Sequence, residues 1–342
     1  MLKIAGSSLA GLACAARLSR LGHEVTVFCA EADPIPVPSP VIALPAVWKD
    51  LFKKSGGHLQ TELNRVGLDW AEAPPTRHLL TDGDTLDLPT ERGAQFRAIA
   101  ALRGESDATA WRDLLDSLDG VWRAFRRHAL EGRAPIDAAA RRALWLDRSL
   151  EEVAAGLSDP LADLVLDLAA SPAAPGLFAL PLIVERSFGR WQLVDAAGTA
   201  QPASRLVDLL QDRLAERGVT FATDLTGPFD IDCRPASPEP ITLHPWPLEA
   251  TAAGWLEVRD HNLAVAPARP DRPGTAADWL ARTPIVGADG ALRASADSPA
   301  GPEPWGQLGS AALAVYELHE RLTGEDCRPT NVAFTLPRLP RR

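Results

Sequence analysis

The most regular pattern of apolar and polar positions lies at the start of the chain, in residues 2–29. A short apolar run is followed by a glycine-containing turn and by an Ala- and Leu-rich segment whose apolar positions recur at helical spacing. After Gly22, Val25 and Val27 alternate with polar residues. This order predicts a strand, a helix over 9–21 and a second strand over 24–28, which together form the β-α-β unit of a parallel sheet.

The turn between the first strand and the helix carries small residues at a nucleotide-binding spacing. Gly6, Ser8 and Gly11 stand at the three glycine positions of the Gly-x-Gly-x-x-Gly fingerprint. The first glycine permits the tight turn, and the third lets the helix lie close to the sheet. Helix N–H groups and the helix dipole favour a pyrophosphate at this point. The predicted phosphate-binding segment comprises Gly6, Ser7, Ser8, Leu9, Ala10 and Gly11.

Two other interpretations of this stretch stay open. The first is an ordinary β-α-β unit that binds no ligand. The second is a lipoprotein signal, because Leu12-Ala13-Cys14 resembles a cleavage box after an apolar run. The signal is disfavoured because only Lys3 precedes the apolar run and a clean strand follows the helix.

The remaining pattern alternates helical and strand-like segments around proline-rich stretches. Residues 202–217 read as an amphipathic helix that is followed by Gly218 and a short strand, which repeats the pattern at the start of the chain. The other predicted elements are helices over 47–54, 59–66, 108–156, 161–170 and 305–322, a hairpin over 81–89, strands over 188–194, 219–221, 255–258 and 284–287, and a loop over 171–181.

Composition indicates a folded globular protein of one large or two medium domains, since 46% of the 342 residues are apolar. The net charge of −10, without a basic cluster, argues against a nucleic-acid partner. No apolar run reaches membrane-spanning length. The scattered cysteines indicate neither a zinc site nor a disulfide framework, and a reducing, cytoplasmic location is expected.

Several segments in order resemble the phytoene desaturase and flavin amine oxidase superfamily, which includes protoporphyrinogen-oxidase-like proteins. They are the opening β-α-β unit, PVIALPAVWKDLF, TDGDTLDLP, FGRW, ERGV and a closing VGADG…GPEPWGQLGSAALAVYEL. The resemblance implies FAD, with a Gly-Asp pair on the ribityl chain and the last helix starting near the isoalloxazine. It assigns these roles to Gly287, Ala288, Asp289, Trp305 and Gly306.

The resemblance also implies an α/β fold in which a Rossmann-like FAD/NAD(P)-binding domain carries an inserted α+β substrate domain. Residues 1–75, 200–235 and 276–325 are expected to form the discontinuous dinucleotide-binding domain. Residues 76–199 and 236–275 are expected to form the substrate domain, and residues 326–342 a tail.

Four departures from the family pattern fall where FAD would be held. Ser8 replaces the second glycine, a Gly-Gly-Arg stretch after the second strand is missing, and the Gly-Asp pair has become Gly287-Ala288-Asp289. Cys29 stands where an acid should accept hydrogen bonds from the ribose, and Glu31 lies two residues further on. Each lost hydrogen bond to a carboxylate is worth about 1.5–3 kcal/mol, so the changes together could weaken binding roughly a thousandfold.

Two hypotheses for the function therefore stay open. The first is an FAD-dependent oxidoreductase that transfers a hydride from a small or medium apolar substrate to the flavin. The second is a degenerate homologue that binds FAD weakly or not at all and acts as a binding protein for another protein. NADP is disfavoured because residues 28–34 contain no Arg or Lys for a 2′-phosphate. NAD is disfavoured because Cys29 replaces the acid that would bind its ribose.

The pattern predicts no catalytic residue and no metal site. His244 and His261 are candidates for lining a pocket in the C-terminal region. Arg190-Trp191 either presents a cation beside an aromatic ring at a domain boundary or is a surface arginine packed on a tryptophan.

Overall fold

The computed structural model describes residues 1–29, 38–132, 135–169, 171–224, 226–235, 246–262 and 274–329. The strands, in chain order, are β1 Leu2–Ala5, β2 Val25–Phe28, β3 Ile42–Ala43, β4 Leu68–Glu72, β5 Thr76–Leu79, β6 Thr85–Leu88, β7 Arg190–Asp195, β8 Ala200–Gln201, β9 Thr220–Ala222, β10 Ile231–Asp232, β11 Leu248–Thr251, β12 Gly254–Asp260 and β13 Leu292–Arg293. The helices are α1 Leu9–Arg20, α2 Ala46–Lys54, α3 Leu59–Arg65, α4 Arg92–Arg103, α5 Glu105–Phe125, α6 Ala138–Ala143, α7 Leu150–Ala154, α8 Asp159–Leu166, α9 Leu180–Phe188, α10 Ser204–Glu216, α11 Ala276–Leu280 and α12 Pro304–Thr323.

A five-stranded parallel sheet of order β13-β10-β1-β2-β9 forms the nucleotide-type half of the fold. Strand β1 is central, with Ile4 opposite Ile231 on one side and Val27 on the other. Helix α1 connects β1 to β2, and α10 precedes β9. The predicted α/β class with a Rossmann-like sheet is confirmed.

One strand of this sheet is not where the pattern placed it. Residues 284–287 were predicted as the last strand, but in the structure they lead into a turn, with a single antiparallel bridge between Val286 and Leu292. The strand that joins the sheet is β13, which pairs in parallel with β10. Both β10 and β13 are only two residues long, so neither has an alternating pattern that could predict it.

Helices α1 and α12 pack side by side and run in the same direction. The thiol of Cys14 donates to the carbonyl of Ala311 at 3.7 Å. Further along both helices, Nη1 of Arg17 lies 3.4 Å from the hydroxyl of Tyr316. Because later residues of α1 meet later residues of α12, the amino ends of the two helices lie at the same edge of the sheet. That edge is the carboxyl edge of the strands, since α1 begins directly after β1.

The rest of the chain forms two smaller sheets and a helical region with its own buried apolar cluster. The sheets have the orders β11-β12-β5-β6 and β3-β7-β4, and β8 also pairs with β7. A hairpin forms around the predicted turn, because β5 and β6 pair in antiparallel fashion with Gly83 at φ +92° between them. Its first strand, β5, lies before the predicted range of 81–89.

Two predictions in this region differ in detail from the structure. The helical pattern over 108–156 corresponds to α5, a π-helical turn at Arg126–Leu130, α6 and α7. The loop expected over 171–181 contains a 3₁₀ turn at Gly176–Ala179 and the start of α9. Proline in 171–181 suggested a loop, but Pro181 lies in the first turn of α9, where its missing N–H costs nothing. No helix in the described ranges is long and apolar enough to cross a membrane.

Candidate functional site at the carboxyl edge of the parallel sheet

The turn after β1 is built so that helix α1 can approach the strand closely. Gly6 has φ +92°, a conformation that side chains other than glycine rarely adopt. A Cβ on Gly11 would lie 2.1 Å from the carbonyl oxygen of Gly6. Both glycines are therefore required by the backbone geometry of the turn, whatever the turn binds.

Ser8 begins helix α1 as its N-cap and uses its hydroxyl twice. The oxygen accepts from the N–H of Gly11 at 3.3 Å, and the hydroxyl donates to the carbonyl of Cys233 at 2.8 Å. The N–H groups of Leu9 and Ala10 have no acceptor within the described part of the chain. An anion at this helix start would therefore find two backbone donors that are not already engaged.

Arg234 covers the same turn and was not among the predicted site residues. Its Cγ lies 3.0 Å from where a Cβ on Gly6 would stand. Its guanidinium pairs with Asp232 through contacts of 2.9 and 2.6 Å and lies over the ring of Phe229. A guanidinium on the residue that covers the Gly6 turn would add a charged donor for a pyrophosphate. Arg234 lies two residues after β10, so its place at the turn could be predicted only if that two-residue strand had been recognised.

The ribose side of the turn fits FAD less well. Cys29 follows β2, is half-buried, and donates its backbone N–H to the carbonyl of Ala222 at 2.9 Å. A thiol is a weak hydrogen-bond acceptor compared with a carboxylate. Glu31 lies outside the described residues. The residues present therefore fit the phosphate part of the cofactor, while the described end of β2 offers only a thiol to the ribose.

The predicted Gly-Asp segment is not part of this edge, and its assignment is corrected. Gly287, Ala288 and Asp289 precede β13 and therefore lie at the amino edge of the sheet. The adjacent Gly290 carbonyl accepts from Arg321, near the C-terminal end of α12. Asp289 pairs with Arg293, and hydrogen bonding from that guanidinium lowers the Asp289 pKa to about 2. The segment forms a turn closed within itself.

Asp297 is better placed than Asp289, because it follows β13 and therefore lies at the carboxyl edge of the sheet. It lies four residues after β13, beside the buried Ser295. Its backbone carbonyl accepts from the N–H of Thr283. In the sequence, Asp297 could be recognised only by its position after a strand. It was missed because the pattern placed that strand at 284–287 instead of at β13.

Trp305 and Gly306 lie at the same edge as the Gly6 turn, because the amino ends of α1 and α12 are side by side. A Cβ on Gly306 would lie 2.3 Å from the carbonyl oxygen of Ala300, so the loop before α12 contacts the helix start directly. The Trp305 ring is buried and packs edge-on against Trp122 and Phe125. Trp305 thus joins the end of the parallel sheet to the second apolar cluster.

A cleft opens beside Trp305. Its polar lining includes Asp167 after α8, Glu185 on α9, Arg190 on β7 and Arg259 on β12. Its aromatic lining is Trp246 and Trp305. An apolar groove shares Pro181 and Trp305 with the cleft and is lined mainly by aromatic, Leu, Ala and Pro residues.

A buried ion-pair network forms one wall of the cleft. Glu257 accepts from Nη2 of Arg190 at 3.0 Å and from Nε of Arg259 at 2.7 Å. Glu185 lies 3.4 Å from Arg190 and 3.7 Å from Arg259. The surface interpretation of Arg190 is therefore wrong, because Arg190 is 3% exposed. Trp191 donates its indole N–H to the carbonyl of Phe188 at 2.6 Å.

His261 is connected to the cleft through Asp167, whereas His244 lies outside the described residues. The carboxylate of Asp167 is hydrogen-bonded to Nδ1 of His261. Nε2 of His261 lies 2.9 Å from Nδ1 of His78. Burial, together with the charge of Arg259, lowers the pKa of His78 well below its usual value of 6.5. Within the described ranges no cluster of His, Cys, Asp or Glu could hold a metal ion.

Comparison with known proteins gives sequence relatives of one kind. No protein-family model matches the chain. It is 30% identical over 169 residues to hydroxyneurosporene desaturase from Cereibacter sphaeroides, a match that covers 45% of this chain and 33% of that protein. It is 30% identical over 147 residues to hydroxyneurosporene desaturase from Rhodobacter capsulatus, covering 39% of this chain and 28% of that protein. The chain thus spans about a third of the length of the curated relatives that it matches.

Among solved structures, cyclohexylamine oxidase from Brevibacterium oxydans is similar with a TM-score of 0.41 and 14% identity, over 86% of this chain and 69% of that chain. The two sequence relatives are desaturases by name, and they support the resemblance of this chain to the phytoene desaturase and flavin amine oxidase superfamily.

Proposed function

We propose that the protein is an FAD-dependent oxidoreductase that acts on an apolar substrate. The observation that carries the proposal is the meeting of two helix starts at one sheet edge, with Arg234 over the Gly6 turn and Trp305 beside the cleft. The unengaged N–H groups of Leu9 and Ala10 and the guanidinium of Arg234 would hold the pyrophosphate. FAD bound there supplies the acceptor for a hydride.

The apolar groove supports the choice of substrate class. It shares Trp305 with the cleft and is lined by residues such as Phe125, Phe178 and Trp279. A substrate in this groove would bury apolar surface while one end reached the polar cleft. The two curated relatives are named for the desaturation of hydroxyneurosporene. That molecule is therefore the first probe to use.

The first experiment measures FAD binding. Purified protein is mixed with FAD, freed of excess cofactor, and its absorbance is recorded at about 370 and 450 nm, where flavins absorb. We expect retained flavin bands and a measurable Kd. In R234Q the Kd should rise by roughly ten- to a hundredfold, since a charge-assisted hydrogen bond to phosphate contributes about 1.5–3 kcal/mol. R205Q, on the exposed face of α10, is the matched control and should bind as the wild type does.

The second experiment adds hydroxyneurosporene in detergent micelles to the FAD-loaded protein without oxygen. Loss of the absorbance near 450 nm reports reduction of the flavin. Bleaching of the flavin supports the proposed reaction. The proposed reaction is refuted if the wild-type protein, after mixing with saturating FAD and removal of the excess, shows no flavin absorbance.

A second candidate function is favoured by the thiol at the end of β2. A protein with Cys29 at the ribose position and no described carboxylate beside it would bind FAD weakly or not at all. Such a protein would keep the fold and act by binding another protein. The absorbance experiment separates the two candidates, because only the first predicts flavin bands.

A further inference from the structure

Three side chains form a continuous hydrogen-bonded chain from the cleft into the protein. Asp167, which lines the cleft, is bonded to Nδ1 of His261. Nε2 of His261 faces Nδ1 of His78 at 2.9 Å, and the planes of the two rings differ by only 7°. The side chain of His261 is 1% exposed and that of Asp167 is 26% exposed. Only the outer member of the chain therefore reaches solvent to an appreciable extent.

Charges on the neighbouring elements fix the protonation of the inner histidine. The charged groups that act on His78 are Arg259 and Glu257 on β12 and Arg190 on β7. Burial and the two guanidinium groups keep His78 neutral, so its ring carries one proton. When His261 is also neutral, a consistent direction of donation follows: Nδ1–H of His78 to Nε2 of His261, and Nδ1–H of His261 to the carboxylate of Asp167.

The inner end of the chain borders a small cavity. His78 lines a cavity of about 20 Å³ together with Thr76 and Trp111, which is room for one water molecule. The hydroxyl of Thr76 and the indole N–H of Trp111 are buried without a hydrogen-bond partner in the described part of the chain. A water in this cavity would accept from the indole and donate to Nε2 of His78, which His261 does not engage.

On the basis of the proposed function, we propose that Asp167 is the catalytic base of the cleft and that His261 and His78 are its positioning residues. Desaturation breaks two bonds to hydrogen. One hydrogen would leave the substrate as a hydride, for which bound FAD would be the acceptor. The electron pair of the second C–H bond would form the new double bond, and its proton would pass to a carboxylate oxygen of Asp167. The carboxylate, which is 26% exposed, would then release this proton to water in the open cleft.

The geometry explains why a histidine pair should stand behind this carboxylate. A carboxylate that accepts a hydrogen bond on one oxygen from His261 keeps its other oxygen directed away from the histidine. His78 holds the tautomer of His261 that donates to Asp167, in the way that an outer partner orients a metal-bound or catalytic histidine.

The test compares D167N with D163N in FAD-loaded protein. Asp163 lies one turn earlier on α8 and bonds the hydroxyl of Thr81, so D163N is a matched control outside the chain. The rate of flavin bleaching by hydroxyneurosporene is measured for each variant. We expect D167N to lower the rate about 10²- to 10⁴-fold without changing the Kd for FAD. D163N should match the wild type, and H78Q should lower the rate.

A second measurement does not depend on flavin. Nitrogen-15 NMR of the histidine rings distinguishes the Nδ1–H tautomer from the Nε2–H tautomer. We expect His261 in the Nδ1–H form in the wild type and in D163N, and a changed His261 signal in D167N. Wild-type bleaching rates in D167N, or identical His261 signals in D167N and the wild type, would overturn the proposal. Bleaching of the wild type at a rate that D167N leaves unchanged refutes the base role alone, whereas a wild-type protein that takes up no FAD refutes the proposed function as well.

Discussion

The ion-pair network that walls the cleft should be one of the most sensitive points of the molecule. Glu257 is fully buried and lies between the guanidinium groups of Arg190 and Arg259, at 3.0 and 2.7 Å. E257Q keeps the size of the side chain but removes the negative charge. Both cations would then have to share Glu185, from which they lie 3.4 and 3.7 Å.

The expected loss of stability follows from this geometry. Removing one partner of a buried ion pair costs about 3–5 kcal/mol, because an uncompensated charge stays in a medium of low dielectric. Glu185 compensates part of the charge, so we expect about 3 kcal/mol in the free energy of unfolding. At about 2–4 °C per kcal/mol for a cooperative unit of 150–250 residues, the melting temperature should fall by roughly 6–12 °C.

The assay is urea unfolding followed by tryptophan fluorescence, with circular dichroism to verify the native helix content. D87N is the matched control, because Asp87 forms an equally close ion pair with Arg77, at 2.7 and 2.9 Å, on the exposed face of the β5–β6 hairpin. D87N should unfold as the wild type does, since exposed pairs are screened by solvent. If E257Q and D87N unfold at the same urea concentration, the network does not stabilise the cleft and our reasoning is wrong.

Three further outcomes are expected. G11A should prevent stable folding, because its Cβ would lie 2.1 Å from the Gly6 carbonyl. G120A, at an open position inside α5, should raise the free energy of unfolding by about 0.5–1 kcal/mol. Equal thermal unfolding of the two variants would contradict this prediction. C29E should lower the Kd for FAD about tenfold by restoring a carboxylate for the ribose, and a titration that shows no change would refute the placement of the ribose at β2. Because the pKa of His78 is lowered in the native protein, the unfolded chain takes up a proton below about pH 6.5 that the native protein does not. The free energy of unfolding should therefore fall by about 1.4 kcal/mol for each pH unit by which the pH is lowered below this value. This slope should be absent in H78Q.

Local patterns predicted the parts of the fold whose residues are close in sequence. The β-α-β unit and the last helix follow from apolar spacing, and the hairpin around Gly83 follows from turn residues. The strands β10 and β13 are too short for any pattern, and they exist because β1 offers an unpaired edge. That pairing can be known only after the chain has folded, and for this reason the edge strand was misplaced.

The same limitation explains which site residues were missed. Arg234 and Asp297 become edge residues only because they follow β10 and β13. Asp167, His261 and His78 come from three distant segments, and nothing in their spacing in the chain indicates a contact. His261 was a candidate because it lies in a region expected to line a pocket, and its partners could be identified only from the tertiary structure.

The glycine spacing and the end of β2 report on different properties. A Cβ on Gly11 would strike the Gly6 carbonyl at 2.1 Å, and one on Gly306 would strike the Ala300 carbonyl at 2.3 Å. Both glycines therefore allow a strand-to-helix loop to lie against the first turn of its helix. The fold needs this contact with or without a cofactor, so a chain that has lost FAD would still keep both glycines. Cys29 is under no such backbone constraint, and the residue there decides how the ribose is held. Cofactor retention in such chains should therefore be judged from the residue at the end of β2 and from the cation over the turn, because the glycines indicate only that the parallel sheet and its helices pack together.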